Sequence, residues 1–388
     1  YLETCDDNTD DFGQCSDCMD SNCLDKGDPN LPKDNDGLYT NIGYCSDFDW
    51  TWEEIWKINY NDFTHLIWDI QFNMPGISSN GYVQPSDSQL ELWESIITEI
   101  QDSPDSLSLA QQLEDFNYEL IYDDLTGYYI IHEKFPVQYG WGTFVYNSNS
   151  NNNLQIHVSH PIFDFNTSVL GAKAFEDLDA QWFLMAGAHR YSNCDDNGLQ
   201  SSNSDDCESD MARNPNSVFQ KVFETSFDGC DYTLSLHAFG SSGHLNASFV
   251  NLSHGSTVYG SEDNIVTHLT DEYCEYLGTY PGLTCCHTSS TENCTNLGGT
   301  TNPQGIFINN LPDFQGQWIQ SEISVDMISL EDAGTMFINN SRDFFNSLNI
   351  NQECTIDFIY EEVPGCTNEN ACNYDELATE DDGSCEYA

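Results

Sequence analysis

Apolar positions recur along this chain with two different spacings, and the switches between them mark out the elements. From Trp50 to Phe135 the pattern predicts a helix over 50–60, a strand over Thr64–Phe72, helices near 87–101 and 107–115, and a hairpin from Tyr118 to His132. Between Gly140 and Tyr360, β-branched and aromatic runs predict strands at Gly142–Tyr146, Leu154–Val158, Trp182–Ala186, Tyr232–His237 and Trp318–Ser324. Helical spacing separates them near 168–178, 214–226, 263–277 and 330–347. That alternation predicts an α/β fold with a mixed, mainly parallel sheet flanked by helices.

The ends of the chain lack this periodicity. Residues 1–48 place Cys5, Cys15, Cys18, Cys23 and Cys45 among Asp, Asn, Gly and Pro, which predicts a small cap held by disulfides rather than by a core. The pair Cys15 and Cys18 has no second CxxC to make a zinc site, so a disulfide loop is favoured; Asp34–Gly37 lacks the distal Glu of a calcium loop and is read as a turn. Residues 49–137 are expected to pack as an α+β lead-in on the α/β domain of 138–362, and 363–388 form a separate tail module. The tail, Gly365 to Cys385, resembles a short cysteine-acidic repeat that ends secreted proteins of marine bacteria and microalgae, and the resemblance implies an attachment or spacer role.

Composition narrows the setting. Nine basic against 65 acidic residues give a formal charge of −56, which excludes nucleic acid and anionic membranes as natural partners. Aromatic residues make up 13%, with eight Trp, more apolar surface than a disordered chain carries, so the chain folds. A surface this acidic suits a saline, marine medium, with calcium (Ca2+) as counter-ion. Sixteen cysteines point to an oxidising, extracellular location reached by way of a removed signal peptide. Local pairing is expected of Cys194 with Cys207, among Cys274, Cys285, Cys286 and Cys294, and within the tail that holds Cys366 and Cys385, whose odd count leaves one cysteine to bond elsewhere. Sequons at Asn166, Asn246, Asn251, Asn293 and Asn339 predict a glycoprotein. The longest apolar run, Trp182–Ala188, is too short to span a bilayer.

Candidate chemistry gathers where strands end, the position at which open α/β sheets place their sites. Gln155–Thr167 holds His157, His160 and Asp164; Ala186–Asn193 holds His189 and Arg190; Ser235–His244 holds His237, a glycine-rich turn and His244. Arg213 follows Asp210 at a helix start, and Glu322 lies on a strand. Phosphate-cradling GxxxxGK[ST] and nucleophile-elbow GxSxG patterns do not occur.

In this order the segments resemble the N-formylglutamate amidohydrolase-like branch of the carboxypeptidase-type zinc hydrolases, over roughly residues 138–326. The resemblance is carried by Gly140-Trp141-Gly142, His-Pro-x-x-Asp from His160, Ala-Gly-Ala-His-Arg ending at Arg190, Leu-x-Leu-His-Ala-Phe ending at Phe239, Leu297-Gly-Gly-Thr-x-Asn-x-Gln-Gly305, and the strand with Glu322. It implies zinc (Zn2+) held by His160, His237 and a third ligand, either His157 or Asp164, with Glu322 as base and His189 beside the oxyanion. It also implies a small amide or peptide substrate whose carboxylate is held by Arg213 or Arg190, with His244 nearby. His157 stands where relatives carry an acidic residue, and the Asn166 sequon falls inside the site motif. Two functions follow: a secreted zinc-dependent amidohydrolase, or an extracellular structural glycoprotein, a surface-layer or filament subunit built on a retired hydrolase fold that self-associates through its terminal modules.

Overall fold

The computed structural model describes residues 63–325 except 105–106, 124–125, 151, 165, 195–206, 230, 241–248, 256–264, 279–284, 288–296 and 312–316. Outside that range it describes 4–5, 41–42, 341, 348–350, 356–358, 364–366, 371–373, 380–381 and 383–387. The expected helices over 50–60 and 330–347 and nearly all of the 1–48 cap lie outside the described residues. The chain divides into two compact units, Tyr1–Arg342 and Asp343–Ala388, a boundary ahead of the one expected near Pro364.

The first unit is built on one nine-stranded sheet. Its strands are β1 (Tyr118–Asp123), β2 (Tyr128–Glu133), β3 (Thr143–Asn147), β4 (Asn152–Val158), β5 (Ala180–Met185), β6 (Tyr232–Phe239), β7 (Val250–Ser253), β8 (Cys285–His287) and β9 (Trp318–Ser324). They lie in the order β8-β7-β9-β6-β4-β5-β3-β2-β1. The heart of the sheet, β5-β4-β6-β9, is parallel, which explains the unbroken burial of β6 and β9: both faces are covered. Antiparallel pairs extend it on either side, so the mixed sheet stands as expected. The hairpin of the lead-in belongs to this same sheet, because β2 pairs with β3.

Seven helices are named here: α1 (Phe63–Phe72), α2 (Asp87–Asp102), α3 (Leu107–Glu114), α4 (Thr167–Asp177), α5 (Val218–Ser226), α6 (Ile265–Gly278) and α7 (Pro303–Asn309). In α2, Trp93, Ile96, Ile97 and Ile100 fall on one stripe and are fully buried, and Gln89 accepts the Ser86 N–H to close the first turn. At α7, Asn302 accepts from the N–H groups of Gln304 and Gly305 and Pro303 fills the first turn.

The strand expected over Thr64–Phe72 is helix α1 instead. Leu66, Trp68, Ile70 and Phe72 recur at every second position and read as a strand, but the core takes Phe63, Ile67, Ile70 and Met74, spaced as one face of a helix. Phe63 fixes that choice by packing its ring on Tyr128, Phe175 and Phe183 at centroid separations of 5.7, 5.2 and 5.5 Å.

Two layers cover the sheet. Helix α4 packs on the face that carries Val158, Phe183 and Leu236; Gly171 comes so close there that a side chain would overlap Val158. On the other face, α5 lays Phe219 and Phe223 over β4, in a core continuous with Trp93, Trp141, Trp182 and Trp318. Disulfides join Cys194 to Cys207, Cys274 to Cys285 and, in the second unit, Cys366 to Cys385. Cys372 is the tail cysteine left unpaired, while Cys294 and the side chain of Cys286 lie outside the described residues.

Candidate metal centre

Because β4, β6 and β9 run parallel, their C-terminal ends share one edge of the sheet. Just past β4 the chain turns, with the Asp164 N–H donating to the His160 carbonyl at 2.9 Å, and this turn presents both side chains to the end of β6. Nδ1 of His160 and Nδ1 of His237 then lie 3.1 and 3.0 Å from the same oxygen, Oδ2 of Asp164. One donor atom from each residue falls within 4.8 Å of the others, and all three side chains are buried. The outer nitrogens have partners of their own: His160 Nε2 meets Asp210 Oδ1 at 2.8 Å, and His237 Nε2 meets Ser235 Oγ at 3.3 Å. Rings held from behind, with their inner nitrogens converging on a carboxylate, are the arrangement a first-row divalent cation needs. The donor set fits such an ion, with Asp164 in the third place.

Electrostatics follow from that packing. Burial works against the charged forms of His160 and Asp164, yet mutual contact prevails: His160 rises above its usual value, and the Asp164 carboxyl falls well below the ordinary carboxylate range. Asp210 is buried and lowered too, since it receives His160 on Oδ1 and Arg190 Nη2 on Oδ2 at 2.5 Å. Glu322 lies in register with His237 across β9 and β6. Burial pushes its carboxyl up to about 7; His237 opposes the rise, and so does Gln320, whose Nε2 donates to Glu322 Oε1 at 2.7 Å.

The remaining sequence candidates divide. His157 is not with the group: its Nε2 faces Gln155 Oε1 at 3.4 Å, and its ring sits edge-on to Phe219 and Phe223. It leaves the strand before the turn that brings His160 and Asp164 together, so it stays under α5, where burial lowers its pKa to about 3. His189 is buried beside the site, with Nδ1 accepting the Tyr191 N–H at 3.0 Å and its ring 5.7 Å from Phe163. Arg190, not Arg213, is the cation on Asp210; Arg213 donates its backbone N–H to the Asp210 carbonyl. His244 lies outside the described residues, as do Asn246, Asn293 and Asn339. Asn166 is half-buried ahead of α4 with φ 57°. Asn251 is 1% exposed within β7, flanked by β8 and β9, and the folded sheet has no room for a glycan there. Asp210 itself was not legible as a member of the site: in the sequence it appears as one more acid in an acidic chain, marked only by a scarce arginine three residues on.

No described family and no curated protein matches the sequence. Among solved structures the chain is similar to an N-formylglutamate amidohydrolase from Ralstonia eutropha, with 14% identity, 53% of this chain and 95% of that chain covered, and a TM-score of 0.33. It is also similar to a gene product from Agrobacterium tumefaciens (10% identity, 51% and 89% covered, TM-score 0.32) and to a candidate metallopeptidase from Shewanella baltica (12%, 69% and 98%, 0.28).

Proposed function

We propose that this chain is an extracellular zinc-dependent amidohydrolase acting on a small amide that bears a carboxylate. The observation that carries the reading is the convergence of two imidazole Nδ1 atoms on Asp164 Oδ2, with Glu322 in register beside His237. His160, His237 and Asp164 would hold the ion, and zinc in such a donor set supplies Lewis acidity enough to polarise a carbonyl and acidify a water. Asp210 fixes the orientation of His160 and is itself anchored by Arg190.

Glu322 has the character of a general base: a buried carboxyl raised to about 7 that can take the proton of an attacking water and return it to the departing amine. Gln320 holds one of its oxygens, leaving the other for that water. His189, whose Nδ1 is engaged as an acceptor, carries its proton on Nε2 and so offers a donor to the developing oxyanion. Arg190 lies close enough to the site to influence Glu322 and, through Asp210, holds His160 in place. Three disulfides among the described residues support the extracellular setting.

Hydrolysis of N-acylated amino acids by the zinc-loaded chain tests the reading. Glu322→Gln should lower the rate by about 10²–10⁴-fold with zinc content unchanged. A chain that binds zinc but hydrolyses none of them, or a Glu322→Gln variant as active as the parent, would overturn the enzyme and favour the structural-subunit function instead.

A further inference from the structure

Phe163 lies between His160 and Asp164 in the turn that forms the metal centre, yet the residue is 48% exposed. Single exposed aromatic residues are ordinary on protein surfaces and need no explanation. This one is set in a structured wall. The Arg190 guanidinium carbon lies 5.2 Å from the centroid of Phe163 and 5.2 Å from that of Tyr191, so the cation is shared by two rings. Tyr191 and His189 stand nearly perpendicular to Phe163, at 5.4 and 5.7 Å, and His160 does so at 6.4 Å. Arg190 is in turn fixed by Asp210, and its Nε is buried without a partner among the described residues. The open part of the Phe163 ring is thus held rigidly beside the place where a substrate carbonyl must come.

Resting on the metal-centre reading above, we infer that Phe163 is a specificity-determining residue and that the Phe163–Arg190–Tyr191 wall receives an aryl group on the acyl side of the substrate. The turn from His160 to Asp164 sets the Phe163 ring centroid 6.4 Å from that of His160, beside any group joined to a carbonyl held at those ligands. An aryl group gains there both from desolvating the exposed half of Phe163 and from edge-to-face contact, which an alkyl group cannot make.

Hydroxamates, which chelate zinc through their own oxygens, separate the wall from the ion without any turnover. Calorimetric titration of the zinc-loaded full chain should show phenylacetohydroxamate binding about tenfold tighter than acetohydroxamate, a difference of about 1.4 kcal/mol. Phe163→Ala should reduce that preference to below about threefold while acetohydroxamate affinity and zinc content stay as they were, and Phe163→Tyr should keep the preference. Equal affinities in the parent chain, or a preference that survives Phe163→Ala, overturns the aryl wall and leaves the metal centre standing. A chain that takes up no zinc, or takes it up without binding acetohydroxamate, overturns the metal-centre reading and the wall with it.

Discussion

The two faces of strands β4 and β6 are made of different materials. Toward α4 the strands present Leu154, Ile156 and Val158 from β4, and Leu234, Leu236 and Ala238 from β6, an apolar surface of the kind a buried parallel sheet requires. Toward α5 the same strands present Gln155 and His157, then Thr233, Ser235 and His237, while β9 adds Gln320 and Glu322. On each of these three strands the polar side chains two residues apart touch: Gln155 with His157, Ser235 with His237, and Gln320 with Glu322.

This polar row is costly. His157 Nδ1, Thr233 Oγ1 and Asp231 Oδ1 are buried without partners among the described residues, and an unmet buried group costs about 1–3 kcal/mol. Stability alone would have made this face apolar like the other. A row that ends at His237 and Glu322 is what the proposed metal ligand and base need behind them.

The sharpest way to break the comparison is to damage the apolar face. Phe183 is fully buried against Phe63 and Phe175, so Phe183→Ala should destabilise the chain by about 3–5 kcal/mol in denaturant titration and leave zinc affinity nearly unchanged in the protein that remains folded. On the polar face the order should reverse. Asp210→Asn removes the charge behind His160 and should weaken zinc binding by about 10–100-fold, measured by competition with a chelator, for a smaller loss of stability.

A subtler effect belongs to the far end of the row. Asp231 accepts from Gln155 Nε2 at 2.8 Å, and burial, reinforced by the Asp228 charge, pushes its carboxyl up from 3.8 to about 7. A carboxyl that holds its proton more tightly when folded contributes stability that is complete below pH 3.8 and is lost as pH rises through about 7. Urea unfolding of the parent should accordingly lose ground to Asp231→Asn across that window. A constant difference between the two chains would show that Asp231 keeps an ordinary pKa.

The sheet was legible in the sequence because its strands are short, aromatic-rich and set off by helical spacing. Among the described elements, β7, β8 and α7 gave no clear signal, and α1 was misread because its exposed Trp68 and Phe72 fall on a period of two that tertiary burial overrode. The site was half legible. Strand-end histidines pointed to one edge of the sheet, where His160 and His237 converge on Asp164 and Glu322 lies in register with His237. Spacing could not show that Asp164 rather than His157 lies beside His160, because that placement comes from a turn whose Asp164 N–H donates to the His160 carbonyl. Nor could it find Asp210, which reaches His160 from 50 residues away. A sequon such as Asn251 carries no sign of the strands that flank it.

The central claim is that the polar face ends in a metal site made by His160, His237 and Asp164. Its most direct test is metal content by mass spectrometry after dialysis, for the parent chain and for Asp164→Ala and His157→Leu. The account predicts about one zinc per chain in the parent, essentially none in Asp164→Ala and undiminished zinc in His157→Leu, since His157 faces Gln155 and the α5 phenyl rings. Zinc lost with His157 and kept without Asp164 would contradict it.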